Sequence, residues 1–268
     1  MKKAMSAALG AVVLGVAGPA AAQVNIGGLQ LPAMQNFGVA SVYQNVVSAP
    51  GDTLAGFGEV TQINGVQISE LCSGCELTYH FDGYTVTSLS PSDVSFSGGF
   101  VNFYLGFGAD NDLNPFTSAD SGADIDAVTN GTLFLTLAGH QIDAAGNTFA
   151  GVGRNIGTTM PVGFGAGLVD VDLTGSLNGN TAGAGGIANA LFNSNAIMGM
   201  FGGPADMQLG ASFSSAIIPH AGECPGGPAC LAGSVDFRAN VVPEPQTYAL
   251  LLAGLGAMGW VARRRRPA

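Results

Sequence analysis

The feature that most constrains the fold is the alternation of apolar and polar residues with a period of two. It recurs in three segments, residues 169–174, 207–214 and 235–241. Because successive side chains of a β-strand point to opposite faces, this period indicates strands with one buried and one solvated face. Runs at 100–107 and 133–137 have apolar residues on both faces and predict central strands. The pattern therefore predicts an all-β protein with antiparallel sheets.

The turn residues agree with many short strands. Glycine occupies 42 of 268 positions without a repeating triplet, which excludes collagen and indicates tight turns. The pairs Asn64-Gly65 and Asp82-Gly83 each lie between strand-like segments and predict two-residue hairpins. One weak helix is predicted over 186–198. Together these features predict a single antiparallel β-sandwich of jelly-roll type over residues 23–241, with one short helix.

The N-terminus has the organisation of a signal peptide over residues 1–22. Two lysines precede an uncharged apolar stretch, and Pro19 follows. Small residues at Ala20 and Ala22 then form a cleavage site before Gln23. An uncleaved membrane anchor is the alternative, although the apolar stretch is short for a span. We therefore expect export through the general secretion machinery into an oxidising compartment.

The C-terminal residues 242–268 combine three features in order. An extended motif, Pro243, Glu244 and Pro245, precedes the uncharged segment 247–262. As a helix this segment would be about 24 Å long, which is short of a roughly 30 Å hydrocarbon core. The chain then ends with four arginines that snorkelling can place at the cytoplasmic interface: Arg263, Arg264, Arg265 and Arg266. These features predict a transmembrane segment whose Pro-Glu-Pro motif faces the periplasm.

This arrangement resembles the PEP-CTERM sorting domain of Gram-negative bacteria. The resemblance implies recognition of residues 243–245 by an exosortase, a membrane-embedded cysteine transpeptidase, with arginines 263–266 as the stop signal. It also implies an inner-membrane intermediate and delivery to the outer cell surface or the extracellular matrix. Proteins with such tails are generally associated with exopolysaccharide, biofilm or floc matrix, so extracellular polysaccharide is an expected partner.

The charge of the body limits its partners. Between residues 23 and 242 there are 17 carboxylates and only two basic residues, Arg154 and Arg238. An acidic surface of this kind repels nucleic acid and anionic lipid headgroups, so we expect no nucleic-acid partner. Acidity also keeps a glycine-rich exported protein soluble.

The sequence leaves three classes of function open. It contains no nucleophile elbow, zinc-protease or phosphate-loop motif, so we predict that the body is not an enzyme but a structural or adhesive protein. A secreted hydrolase remains an alternative, because two of the carboxylates could flank a sugar. A carbohydrate-binding module is the other alternative, with aromatic stacking platforms at Tyr79, Tyr84, Phe103 and Tyr104.

The four cysteines are Cys72, Cys75, Cys224 and Cys230. An even number in an exported protein indicates disulfides, and we expect local pairing, Cys72 with Cys75 and Cys224 with Cys230. A redox site would need a helix after the first pair, where strand-like residues follow. A four-cysteine zinc site would need a tighter second spacing and reduced thiols.

An acidic segment begins like a calcium-binding loop. Oxygen-bearing side chains alternate along it, but Pro115 and Ser121 stand where an EF-hand requires glycine and glutamate. A calcium site of another type remains open, and the alternative is a solvated loop. Its candidate ligands are Asp110, Asp112, Asn114, Asp120, Asp124 and Asp126.

Overall fold

A computed structural model of the chain describes residues 24–31, 38–114, 121–158, 161–173, 185–214, 230–240 and 253–258. Fourteen strands occur in these ranges: β1 (Val24–Ile26), β2 (Leu29–Leu31), β3 (Val39–Asn45), β4 (Thr53–Ile63), β5 (Val66–Gln67), β6 (Cys75–Leu89), β7 (Asp93–Phe107), β8 (Thr132–His140), β9 (Phe149–Arg154), β10 (Val162–Val171), β11 (Ile197–Met198), β12 (Pro204–Ala205), β13 (Met207–Ser214) and β14 (Cys230–Ala239). The helices are α1 (Ile68–Leu71), α2 (Ser121–Thr129) and α3 (Asn189–Phe192), with a 3₁₀ turn at Gly108–Asp110 and a helical segment at 253–258.

The main sheet is antiparallel and closes on itself. Its strands follow the order β13–β14–β3–β4–β6–β7–β8–β10, and β10 then pairs with β13 from Gly163–Phe213 to Val169–Met207. β8 and β9 share one position in this ring, between β7 and β10. β8 pairs with one half of each neighbour and β9 with the other half. The result is a barrel-like sheet with eight strand positions.

The prediction of an all-β antiparallel protein is confirmed, but one closed sheet stands where we predicted the two sheets of a jelly-roll sandwich. Glycines on the inner face of β10 explain how its neighbours come so close. A Cβ at Gly163 would lie 2.8 Å from the ring of Phe213, and one at Gly167 would lie 2.6 Å from the ring of Phe149. Glycine in a strand permits such close approach and sharp bends. Alternating side chains occur equally in sandwiches and in closed sheets, so they did not distinguish the two.

The closed sheet has two different ends. At the end where β14 finishes, called here the tail end, the interior is filled by side chains with no exposed surface, among them Leu77, Phe103 and Leu135. The hairpin β1–β2 adds Leu29 and Leu31 to this core. The opposite end, where β3 finishes and β14 begins, is called here the mouth. Residues 215–229, which join β13 to β14 there, lie outside the described residues.

Two local predictions about turns had different outcomes. Asn64 and Gly65 have positive φ angles of 54° and 76° and join β4 to β5, which confirms this hairpin. The prediction at Asp82-Gly83 was wrong, because β6 continues through both residues. Gly83 and its neighbours on β7, Gly98 and Gly99, all have positive φ angles, so the glycines bend the strand pair rather than reverse it.

The helices also differ from the prediction. The helix expected over 186–198 is limited to Asn189–Phe192, because the following residues turn into β11. α2 was not predicted, since polar residues and glycine dominate its sequence. It packs on the outer face of β4 and β6, where Val128 is buried with Phe57, and Thr78 Oγ1 donates to the Val128 carbonyl at 2.6 Å.

Candidate functional site

The residues predicted for targeting lie outside the described part of the chain. This applies to the cleavage residues Ala20, Ala22 and Gln23, to the motif at 243–245 and to arginines 263–266. Of the segment 247–262, residues 253–258 are described, and they form an exposed helix. In the described ranges no helix is both long enough and apolar enough to cross a membrane.

The structure does not bring the calcium candidates together. Asp110, Asn114 and Asp126 are exposed, and Asp112 accepts a hydrogen bond from Asn130 at 3.2 Å. Asp124 is buried on α2, and Asp120 lies outside the described residues. Across the described ranges, no three His, Cys, Asp or Glu side chains are grouped as metal ligands would be. Calcium binding stays a prediction.

The first cysteine pair forms a disulfide. Cys72 and Cys75 are joined with a Cα–Cα distance of 5.8 Å, and both residues are buried. Cys72 directly follows α1 and Cys75 begins β6, so the bridge closes the turn between them. No helix begins at this pair, which disfavours the redox alternative. Cys224 and the Cys230 side chain lie outside the described residues, so their pairing stays a prediction.

The aromatic residues considered as sugar-stacking platforms belong mostly to the interior. Tyr79, Tyr84 and Phe103 are each at most 3% exposed. The Tyr79 ring packs edge-on against Phe237, and its hydroxyl donates to the Ser41 carbonyl at 2.5 Å. Buried rings cannot stack on an extracellular glycan. That use of these three residues was therefore wrong, because their strand face points inward.

A cavity occupies the interior of the closed sheet on the mouth side of this core. Its volume is about 50 Å³, and a second space of about 40 Å³ shares four of its wall residues and extends toward the mouth. The four shared residues are Gln44, Leu54, Phe149 and Ala211. The remaining wall of the first space is apolar or aromatic: Val42, Tyr79, Phe81, Tyr84, Val101, Leu209, Val235 and Phe237.

One side of the ring supplies no inward side chains between residues 163 and 167. Three inward positions of β10 are glycine, namely Gly163, Gly165 and Gly167. The rings of Phe149 and Phe213 lean over these glycines and cover the strand without filling the centre. At about 24 cal/mol per Å³, a cavity of about 50 Å³ costs the fold about 1 kcal/mol.

Tyr84 contributes its ring to this wall, while its hydroxyl is buried away from the open space. The residue is 3% exposed, and its hydroxyl has no hydrogen-bond partner among the described residues. Burial raises its pKa, so the hydroxyl keeps its proton and remains a donor. Its ring packs edge-on against Phe149. A buried donor of this kind carries a desolvation cost of about 1 to 3 kcal/mol.

A separate acidic group lies outside the sheet, beneath the segment that contains Asp112 and Leu113. Glu76 is 3% exposed and accepts a hydrogen bond from the Leu113 amide at 3.3 Å. Burial raises its pKa to about 7, and the nearby charges of Glu59 and Asp112 act in the same direction against the two backbone hydrogen bonds. Burial also raises the pKa of Glu59. Neither carboxyl group lines the cavity.

One histidine ties an outer loop to the sheet. His140 on β8 is buried, and its Nδ1 lies 2.7 Å from the Asp170 carboxylate. Its Nε2 lies 3.0 Å and 3.2 Å from the carbonyls of Phe201 and Gly203. Burial alone would lower the pKa, but the hydrogen bond and charge of Asp170, with the two carbonyls, outweigh it and raise the pKa. The imidazolium form satisfies all three acceptors and holds the loop after β11.

Comparison with known protein families identifies the C-terminal segment. Residues 241–266 match the PEP-CTERM protein-sorting motif. The tail carries a PEP-CTERM motif. This marks the chain as an exported protein that exosortase sorts through the membrane toward the cell surface, as the sequence resemblance implied. Searches of curated proteins and of solved structures returned no significant match to the chain.

Proposed function

We propose that the protein is exported, held briefly in the inner membrane by its PEP-CTERM tail, and released by exosortase to the outer cell surface or the extracellular matrix. The observation that carries this proposal is the position of the motif. β14 ends at Ala239, and the motif begins at residue 241. The sheet therefore passes almost directly into the sorting tail, which suits a tail that is cut away without loss of any described strand.

The chain length limits how far the body can lie from the membrane while the tail is inserted. Seven peptide steps separate Asn240 from the start of the apolar segment at Thr247. An extended chain spans at most about 3.6 Å per residue, so the tail end lies within about 25 Å of the bilayer.

We propose a structural or adhesive role for the released body. Its 17 carboxylates against two arginines support a soluble protein outside the cell. An adhesive role is supported by Val152, Val162 and Phe164 on the outer face of β9 and β10, each more than half exposed. Exposed apolar patches on soluble proteins often belong to interaction sites. That the body is not an enzyme stays a prediction.

The sorting proposal is tested by replacing Pro243, Glu244 and Pro245 with alanine. The apolar segment should still insert, but exosortase should lose its recognition motif, so the precursor should accumulate in the inner membrane. Cell fractionation with intact-mass measurement checks this result. Processed wild-type protein should lack Met1 and residues 263–266.

The matched control is Glu70→Ala, which removes an exposed glutamate from α1 and leaves the tail intact. It should be processed and delivered like the wild type. Normal surface delivery of the triple-alanine variant would show that the motif does not direct sorting.

A further inference from the structure

We propose that the outer surface formed by Val152, Arg154, Val162 and Phe164 is an interface through which the protein binds a second copy of itself. These four residues are called here the β9–β10 patch. The inference rests on the adhesive role proposed above and deepens it by naming the partner. The exposure of the patch, its layout and its charge carry the inference together.

The patch is a rectangle of four side chains on two paired strands. Val162 lies directly opposite Arg154, and Phe164 lies directly opposite Val152. Residues two positions apart on one strand point to the same face, so all four side chains stand together. Phe164 is 68% exposed, and the other three residues are exposed as well. The two valines therefore occupy one diagonal of the rectangle, and the arginine and the phenylalanine occupy the other.

Toward β13 and the tail end, the patch is bordered by small residues. Ala150 and Ala166 follow it on β9 and β10, where they pair with each other. On β13, Ser212 lies opposite Phe164, and Gly210 lies opposite Ala166. None of these neighbours is long enough to stand above the patch. A second sheet can therefore approach it closely, as sheets that pack face to face lie about 10 Å apart.

The layout of the patch is complementary to itself. Most homodimers have a two-fold axis, so that the same surface of both copies meets. An axis that lies in the interface along the Val152–Val162 diagonal places each valine against its equivalent in the second copy. The same rotation exchanges Arg154 and Phe164, so each guanidinium lies over the phenyl ring of the other copy. With strands about 4.8 Å apart and about 6.8 Å per two residues, the two sheets cross at about 70°, close to orthogonal packing.

The charges agree with a second copy as the partner. Arg154 is one of two basic residues against 17 carboxylates in residues 23–242. The other, Arg238, pairs with Asp236 at 2.9 Å, whereas no described carboxylate forms an ion pair with Arg154. A guanidinium gains cation–π energy over an aromatic face, and the same patch supplies both groups. Asp93 of β7 borders the patch, and the rotation places it over the small residues rather than over another carboxylate.

The size of the surface indicates weak and reversible association. The patch and its small neighbours cover parts of three strands, which is less than the roughly 800 Å² that each partner of a stable complex buries. We therefore expect a dissociation constant on the order of 100 µM. Delivery of many copies to one cell surface raises their local concentration and favours such contacts.

Sedimentation equilibrium of processed protein purified from the producing cell measures this association. The weight-average mass should rise from that of a monomer at about 10 µM toward that of a dimer at about 300 µM. Sodium chloride should strengthen the association, because screening lessens the repulsion between two acidic bodies. A monomer at every concentration and salt level would overturn the proposal.

Substitutions within the patch locate the interface. Phe164→Ser should weaken association at least about tenfold, because it removes the exposed ring from both contacts. Arg154→Glu should weaken it about five- to thirtyfold, since both cation–π contacts are lost. Leu173→Ser is the matched control, because it removes an exposed apolar side chain outside the patch and should associate like the wild type. Melting temperatures check that each variant is folded. Wild-type association of either patch variant would show that the interface lies elsewhere.

Cysteine variants test the position of the two-fold axis. Val152→Cys places a thiol on the axis, so a bismaleimide with a spacer of about 10 Å should join two copies. Gln208→Cys is the matched control on the same outer face. Gln208 pairs with Leu168, which lies six residues, or about 20 Å, along β10 from Val162, so its thiols should remain unlinked. Equal cross-linking of the two variants would contradict the axis.

Retention in the extracellular matrix separates self-association from the adhesive role on which it rests. Phe164→Ser should be delivered like the wild type but released from the matrix more readily. If the wild type is monomeric in solution and Phe164→Ser is still released, the adhesive role stands and the second copy is not the partner. If the wild type dimerises and Phe164→Ser is retained, self-association stands and the adhesive role fails.

Discussion

Replacing Glu76 with glutamine should make the protein more stable at neutral and alkaline pH. Glu76 lies on the outer face of β6, beneath the segment that contains Asp112 and Leu113, and is almost fully buried. In water its carboxyl group would be ionised at pH 7. Burial raises the pKa from 4.5 to about 7, so the folded protein retains a proton that the unfolded chain has already released. Glutamine has a similar shape, can accept the Leu113 hydrogen bond and cannot ionise.

The magnitude follows from the difference between the two pKa values. A raised carboxyl pKa lowers stability as the pH rises from about 4.5 through about 7, because the unfolded chain binds fewer protons over that window. At about 1.4 kcal/mol per pH unit, the loss approaches about 3 kcal/mol at pH 8. Glu76→Gln should avoid this loss. Its unfolding free energy should therefore resemble that of the wild type at pH 4 and exceed it increasingly toward pH 8.

Urea denaturation at pH 4, 5, 6, 7 and 8 measures this difference, and Glu70→Gln provides the control. Glu70 is exposed on α1, so its replacement should leave the pH profile of the wild type unchanged. Glu59 titrates nearby, and removing the Glu76 charge should ease its ionisation slightly. Parallel profiles for wild type and Glu76→Gln between pH 4 and 8 would refute the reasoning.

Alkylation without reductant should label none of the four cysteines in periplasmic protein, and quantitative labelling of Cys72 and Cys75 would contradict their disulfide. His140→Gln should lower the unfolding free energy at pH 6 by about 1 to 3 kcal/mol, because it removes the charged donor beside Asp170. Since the His140 pKa is raised, this loss should diminish as the pH rises through the folded-state value, and a pH-independent loss would contradict the assigned charge. If residues 110–126 bind calcium, millimolar calcium should raise the melting temperature more than sodium chloride of equal ionic strength. The expected gain in unfolding free energy is about 2.7 kcal/mol at a hundredfold excess of calcium over the dissociation constant. Equal shifts would contradict it.

The sorting tail could be predicted from the sequence because a sorting signal acts as a contiguous segment. Residues 241–266 contain the motif, the apolar stretch and the arginines in order, and no distant residue is needed to interpret them. The strands β13 and β14 were also predictable, since alternation along a strand reflects its two faces directly. The Asn64-Gly65 hairpin followed from backbone preferences of two adjacent residues.

Closure of the sheet was decided only by tertiary structure. It depends on the pairing of β10 with β13, which joins residues as distant in sequence as Gly163 and Phe213. Alternation shows that a strand has an inner face but not which strand lies beside it. The same limit applied to Asp82-Gly83, where long pairing of β6 with β7 overrode a local turn preference.

The cavity and the acids with raised pKa values were also decided only by tertiary structure. From the sequence, Tyr84 is an ordinary strand tyrosine, and only the ring of strands places it in an apolar wall. Glu76 would be predicted to be a solvated acid, but the segment that contains Asp112 and Leu113 covers it. Burial depends on neighbours brought together from the whole chain. The sequence alone therefore determined where the protein is sent and that it is built from strands. The enclosed space and the buried groups arise only when those strands close, because desolvation requires neighbours on every side.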